Sequence, residues 1–319
     1  VTEQPHALIV AGPTCSGKSA LAIMLARRLG GTIVNADSMQ VYRELRIVTA
    51  RPTPAEEADI PHVLYGVRPA ADAGSVAWWR DAALAEMARA HTAGRLPILC
   101  GGTGLYFLSL TQGIADIPPP GAAARDEARA LLTQIGPAAL HARLAEQDPD
   151  TATRIDPADS QRIARAFEVW RGTGKGLVAW QTQGAPPAPW RFSAILLDPP
   201  RPVLRAAIAT RFAAMLQAGA LEEVRALLAQ NLDQALPAMR AHGVPELAAH
   251  LRGEISVVEA ERRATLVTGQ YTKRQATWFR HHDLAPKHQT HTIHARIAGH
   301  AQFSERKAAE IVTFIRDTG

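Results

Sequence analysis

The sequence predicts an α/β protein: a parallel sheet core flanked by helices, with a mainly helical insertion domain. Three observations carry this. Short apolar runs at 7–11, 32–34, 97–100 and 194–197 alternate with helical patterns. A glycine-rich turn joins the first run to the first helix. Two proline-rich breaks bracket a stretch that reads as mainly helical. With 319 residues, 47% hydrophobic and 20% charged, the chain can bury a sizeable core. Aromatics are only 5%, so that core is expected to be built from Ala, Leu, Val and Ile.

Ala7–Ala11 is the first strand, and Leu21, Leu25 and Leu29 mark one face of the helix after it. Thr32–Val34 and Pro97–Cys100 are the next strands, with Trp78–Ala93 a helix between them. The breaks fall at Ile117–Gly121 and Gly184–Pro189, enclosing helical stretches near Ala122–Glu146 and Ala158–Arg171. Residues 118–190 therefore read as an insertion into a core made of 1–117 together with 191–319. Two loops within one compact domain are the alternative. Ala194–Leu197 resumes the strand pattern, and long helices follow at Val203–Gln230 and Val257–His281. After Asp283 the pattern is weak until a last helix at Glu305–Arg316.

Several classes are excluded. No apolar run approaches the ~20 residues of a membrane span. The first ten residues lack a basic stretch followed by a long apolar core, so they do not read as a signal peptide. Cys15 and Cys100 are too few for a disulfide scaffold. A monomer in a reducing cytoplasm is expected, with no membrane partner. The net charge of +5 permits a nucleic-acid partner without establishing one. Thirty of the 35 basic residues are arginine, which a compositional bias of the genome also explains.

Gly12-Pro13-Thr14-Cys15-Ser16-Gly17-Lys18-Ser19 matches G-x-x-x-x-G-K-[ST], between a strand and a helix. This makes the core a phosphate-loop (P-loop) sheet. Gly12 and Gly17 allow a tight turn that points backbone N–H groups inward, and the helix N-terminus adds positive potential. Lys18 supplies a charge for the terminal phosphates and Ser19 a hydroxyl for Mg2+. Gly12, Thr14, Cys15, Ser16, Gly17, Lys18 and Ser19 are the expected phosphate or diphosphate site, whatever the reaction. Cys15 reads either as a small loop-filling residue or as a reactive thiol. An ordinary NTPase carries a magnesium-binding aspartate after a second apolar strand; here Leu96–Cys100 runs into Gly101-Gly102-Thr103. Asp37 falls just past the second strand. Ligands bind at the carboxyl ends of strands in open α/β sheets, so Asp37, Thr103 and the loop are expected around one pocket. Asp37 could be a general base there, or only a turn aspartate.

Five segments then resemble, in order, the blocks of one family, the tRNA dimethylallyltransferases or IPP transferases. They are GPTCSGKS (12–19), NADSMQVYRELRIVTARP (35–52), PILCGGTGLYF (97–107), DPADSQRIARAFEVWRGTGK (156–175) and YTKRQATWFR (271–280). The resemblance implies transfer of a dimethylallyl group from dimethylallyl diphosphate to N6 of adenosine 37, beside the tRNA anticodon, with Mg2+ as cofactor. It implies Asp37 as the base, Thr103 as a positioning group, and Arg211 as a further diphosphate contact. It also implies contacts with the anticodon stem-loop. Asp37, Ser38, Met39, Gln40 and Thr103 would meet a base flipped out of the stack. Arg125 and Gln161, Arg162, Ile163, Ala164 and Arg165 would contribute from the insertion. The segment His242, Gly243, Val244, Pro245, Glu246 and Leu247 resembles the family's "GY" block, with Val244 in place of tyrosine. Arg274, Gln275, Ala276, Thr277, Trp278, Phe279, Arg280 and His281 would complete the surface. Cys15 and Gly269 are further departures from the usual pattern.

The residues alone agree in part. Positions 262–282 hold five Lys or Arg, three aromatics and no acid, which suits phosphate contact and base stacking, or an ordinary amphipathic helix. Between 121 and 190 the charges balance at eight basic and eight acidic, so RNA contact there would depend on local placement. The late histidines 281, 282, 288, 291, 294 and 300 lack metal-ligand spacing. A small-molecule or nucleoside kinase and a non-catalytic RNA-binding protein remain as alternatives.

Overall fold

The computed structural model describes residues 4–182, 184–298 and 305–319; His300 lies outside the described residues. The strands are β1 His6–Ala11, β2 Gly31–Asn35, β3 His62–Val63, β4 Leu96–Gly101, β5 Arg191–Leu197 and β6 Thr290–Ile293. They form one parallel sheet in the order β3-β2-β4-β1-β5-β6.

Central β1 pairs with β4 through Leu8 and Ile98, and with β5 through Ala7 and Phe192. A central parallel strand is covered on both faces, so Ala7 to Ala11 are apolar and wholly buried. Alternate side chains point opposite ways. Ala7, Ile9 and Ala11 pack with Trp79, Met87 and Phe107, from helices Val76–Thr92 and Gly104–Thr111. Leu8 and Val10 pack with Leu21 and Leu25 of helix Lys18–Leu29 and with Ile311 and Ile315 of helix Glu305–Thr318. Each fully buried leucine contributes about 1.5–3 kcal/mol. A third, helical cluster joins Phe212, Met215, Val224, Val244 and Leu247 to Val41 and Leu45.

The long helix expected at 203–230 is two helices, Arg201–Gln217 and Ala220–Leu228. Gly219, at φ +101°, takes the chain round the break. Helix Ala122–Gln147 is kinked where Gly136 (φ +78°) precedes Pro137. The stretch after Asp283 contains an edge strand, β6, that its weak pattern did not announce.

The chain divides into two compact units, one through Thr111 and from Ala188 onward, the other Gln112–Pro187. The second unit begins six residues before the expected boundary at 118 and ends before 190. Its own ends explain this: Ile114 and Ala185 pair by antiparallel backbone bonds of 3.3 and 2.6 Å. Its core is Ala128, Leu140, Leu144, Ile163 and Phe167.

Candidate active site

The phosphate loop leaves β1 and opens helix Lys18–Leu29. Gly17 has φ +94°, and a Cβ there would lie 2.0 Å from the Ile297 carbonyl oxygen. Glycine is therefore required twice over, by conformation and by space. Two distant segments brace the loop. Gln275 accepts the Thr14 N–H at 2.8 Å and donates to the Gly102 carbonyl at 2.9 Å. From the tail, Ile297 N–H donates to the Ser16 carbonyl, and Arg296 Nε donates to the Cys15 carbonyl, both at 3.0 Å. Cys15 is buried against Leu204 and Ile208.

Asp37 follows β2 in a turn closed by its own side chain: Oδ1 accepts the Met39 N–H at 2.9 Å. Asn35 accepts the Asp37 N–H at 2.9 Å and donates to the Asp37 carbonyl at 3.0 Å. Thr103, after β4, is knitted to the same turn. Its hydroxyl accepts the Ser38 N–H at 2.9 Å and donates to Ser38 Oγ at 3.3 Å, while its N–H donates to the Ala36 carbonyl at 3.2 Å. Thr103 thus positions the Asp37 turn. Trp79 seals the turn from below, donating to the Asn35 carbonyl at 2.7 Å and stacking on Tyr106 at 4.2 Å.

Two cavities meet at Asp37 and Arg211, which line both. The first, about 250 Å³, is polar, with Lys18, Ser19, Arg51 and Arg296 in its wall. The second, about 290 Å³, has the apolar side chains Met39, Val48, Ile208, Phe212 and Met215, with His242 and Tyr271 beside them. The loop forming part of both walls is held by Glu223, whose carboxylate accepts the N–H groups of Arg46, Ile47 and Val48 at 2.8–2.9 Å. His242 and Tyr271 rings lie 4.7 Å apart. Burial pulls the His242 pKa below 6.5, with Arg274 adding to the effect and Glu246 and Asp37 opposing it. Burial likewise raises the Tyr271 phenol above its ordinary range.

Other expected contacts are placed less uniformly. Lys273, Arg274, Thr277 and His281 are exposed on helix Val257–His281 and line an open depression of about 640 Å³ with Arg201, Gln270, Trp278 and His282. Gln275 and Phe279 are buried, and Gln275's polar atoms face the phosphate loop. Val244, Leu247 and Ile163 are core residues, 0–1% exposed; they shape their helices and do not present a surface to RNA. Glu246 is occupied in accepting the Gly243 N–H at 3.0 Å. Ala276 and Ala164 are half-buried. Gln40 donates to the carbonyls of Thr49 and Ala50 at 2.8 and 2.9 Å, which leaves its amide oxygen for a ligand. Arg280 is paired with Asp198 through bonds of 2.8 and 3.1 Å, so its charge is already neutralised. In the second unit Arg125, Gln161, Arg162 and Arg165 are exposed, and the three arginines pair with Asp159 or Glu168.

Sequence reasoning missed Arg51, the apolar wall and Arg296. It also overlooked Asp198, which directly follows β5, a neighbour of β1. An apolar strand followed by aspartate is thus present, but that carboxylate is engaged by Arg280, with His294 3.8 Å away. Among the described residues no group of three His, Cys, Asp or Glu could hold a metal.

The IPP transferase family model matches residues 40–282. The chain is 62% identical over 315 residues to a tRNA dimethylallyltransferase of Granulibacter bethesdensis, covering 98% of this chain and 99% of that one. The chain belongs to the IPP transferase family. A second relative, from Gluconacetobacter diazotrophicus, carries the same name and is 64% identical, over 97% of this chain and 93% of that one. The crystal structure of a full-length tRNA isopentenylpyrophosphate transferase from Bacillus halodurans superposes with TM-score 0.68 at 31% identity, covering 99% of this chain and 97% of that one. A eukaryotic dimethylallyltransferase acting on tRNA gives TM-score 0.80 at 24% identity, over 99% and 80%, a likeness of fold.

Proposed function

We propose that this chain transfers the dimethylallyl group of dimethylallyl diphosphate to N6 of adenosine 37 in tRNA, releasing diphosphate. One observation carries the chemistry: Asp37 and Arg211 stand where the phosphate-loop cavity meets the apolar cavity. The diphosphate fits the basic compartment, and the allylic chain with the flipped adenine fits the apolar one. As the allylic C–O bond breaks, charge grows on the leaving oxygen. Lys18, Arg211 and the loop amides therefore stabilise the transition state more than the ground state. The N6 lone pair forms the new C–N bond, and the N6 proton passes to Asp37. One carboxylate oxygen is fixed by Met39 N–H, which aims the carboxylate.

The donor set fits magnesium. Ser19 presents a hydroxyl in the basic cavity, and Ser16 Oγ is buried without a partner. Burial raises the neighbouring Cys100 thiol to about 11, so it stays protonated and is no thiolate ligand. A site with one protein hydroxyl, substrate phosphates and waters is characteristic of Mg2+. Ser19 would hold the ion, which when bound neutralises diphosphate charge.

The exposed basic face of helix Val257–His281, with Lys273 and Arg274, suits the anticodon stem-loop. Arg125, Gln161, Arg162 and Arg165 are proposed as further contacts; their ion partners would have to exchange for phosphates. Incubation with unmodified tRNA and dimethylallyl diphosphate is expected to add one five-carbon unit to adenosine, read by mass. Absence of that unit, or ATP-dependent phosphorylation of a small acceptor instead, overturns the reading.

A further inference from the structure

We propose that Arg296 is a contact for the departing diphosphate, supplied by the segment that follows β6. The inference rests on the function proposed above for the identity of the leaving group.

Arg296 lines the basic cavity with Lys18, Ser19 and Arg211. Its Nε–H donates to the Cys15 carbonyl at 3.0 Å, in the middle of the phosphate loop. The next residue repeats the attachment, since Ile297 N–H donates to the Ser16 carbonyl at 3.0 Å. The Ile297 carbonyl fills the space that a side chain at Gly17 would need. This segment is therefore seated on the loop by consecutive residues.

With Nε engaged, the terminal nitrogens of the guanidinium remain as donors. Among the described residues no carboxylate pairs with Arg296, whereas Arg51 faces Glu57 at 3.9 Å and Arg280 is held by Asp198. Charge bookkeeping in the cavity points the same way. Lys18, Arg51, Arg211 and Arg296 outnumber Asp37 and Glu56 in its wall. That excess suits an anion whose charge increases as it leaves. A guanidinium already fixed to the loop loses little side-chain freedom on binding, and its planar fork matches phosphate oxygens.

The experiment compares Arg296→Lys, which keeps the charge, with Arg296→Gln, which keeps a donor for Cys15 without charge. Binding of inorganic diphosphate to each intact protein is measured with magnesium present, beside the KM for dimethylallyl diphosphate. Arg296→Gln is expected to weaken both by about 10–100-fold, the range of a lost charged hydrogen bond. Arg296→Lys should stay within about threefold, and tRNA affinity should be unchanged in both. Equal behaviour of the two variants overturns the proposal, because Arg296 then only braces the loop. As a check independent of folding, wild-type protein is labelled with an arginine-specific dicarbonyl, with and without diphosphate. Protection of Arg296 is expected; equal labelling overturns the assignment. Diphosphate binding and arginine labelling use diphosphate alone, so these two measurements remain meaningful even if prenyl transfer to tRNA fails.

Discussion

Residues 12–19 and residues 290–297 reach the same cavity from strands on either side of β5, yet they encode their contributions differently. The phosphate loop is spelled out in the sequence because its function lies in its backbone. It needs glycine at a positive φ, a lysine at the first turn of the helix and a hydroxyl beside it. The later segment needs only an N–H from Ile297 and a guanidinium from Arg296. Neither demand leaves a local signature. The difference teaches that a site can be half motif and half tertiary placement.

The largest effect expected separates chemistry from this anion-holding machinery. Asp37→Asn preserves the turn acceptor but removes the base, so transfer should fall about 10²–10⁴-fold while diphosphate still binds. Unchanged turnover removes Asp37 from the reaction. Lys18→Ala should cost about 10²–10³-fold in transfer, more than Arg296→Gln. If the order is reversed in single-turnover assays, the tail and not the motif dominates, and the comparison inverts. Gln275→Ala deletes the brace that enters from helix Val257–His281. It should cost about 1–3 kcal/mol in denaturant unfolding, since the Thr14 N–H and Gly102 carbonyl lose their partner. An unaltered midpoint would show that the tail alone is enough to hold the loop.

Alanine at both Lys273 and Arg274 should weaken tRNA binding about tenfold at moderate salt and flatten the salt slope, leaving diphosphate affinity intact. Loss of diphosphate binding instead would mean that the RNA face and the anion cavity are one site. The smallest effect concerns the sheet both segments share. His6, on β1, bonds Ser193 of β5 at 2.8 Å, and burial with the neighbouring Arg191 lowers its pKa to about 4. The unfolded chain binds this proton below about 6.5, so the folded state loses stability as pH falls from there towards 4. Melting temperatures at pH 7 and pH 5 should diverge less for His6→Gln than for the wild type. Parallel slopes would rule out His6 as the titrating group.

Periodicity made most of the sheet legible. Ala7–Ala11 and Ala194–Leu197 were apolar enough to be placed as strands, and the α/β alternation implied a parallel sheet, but the strand order came only from the structure. Short elements were not legible. β3 has two residues and β6 has four, half of them exposed, too few for a period to register. Asp37 and Thr103 were found because each lies just past a strand; the Ser38 bonds that join them depend on β2 and β4 being neighbours. Gln275 was expected as an RNA contact because the segment 274–281 resembles a block of the family. Its helical phase turns it inward instead, to 5% exposure. Arg280 sits on the outside as expected, but its partner Asp198 is 82 positions away and invisible to local reasoning.

The hydrogen bond from Ile297 to Ser16 spans almost the whole chain. During synthesis the ribosome delivers the phosphate loop long before its clamp. A nascent polypeptide halted before Ile297 would own the complete signature motif while lacking the restraint on Ser16 and Gly17. The motif is therefore written well before the segment that steadies it.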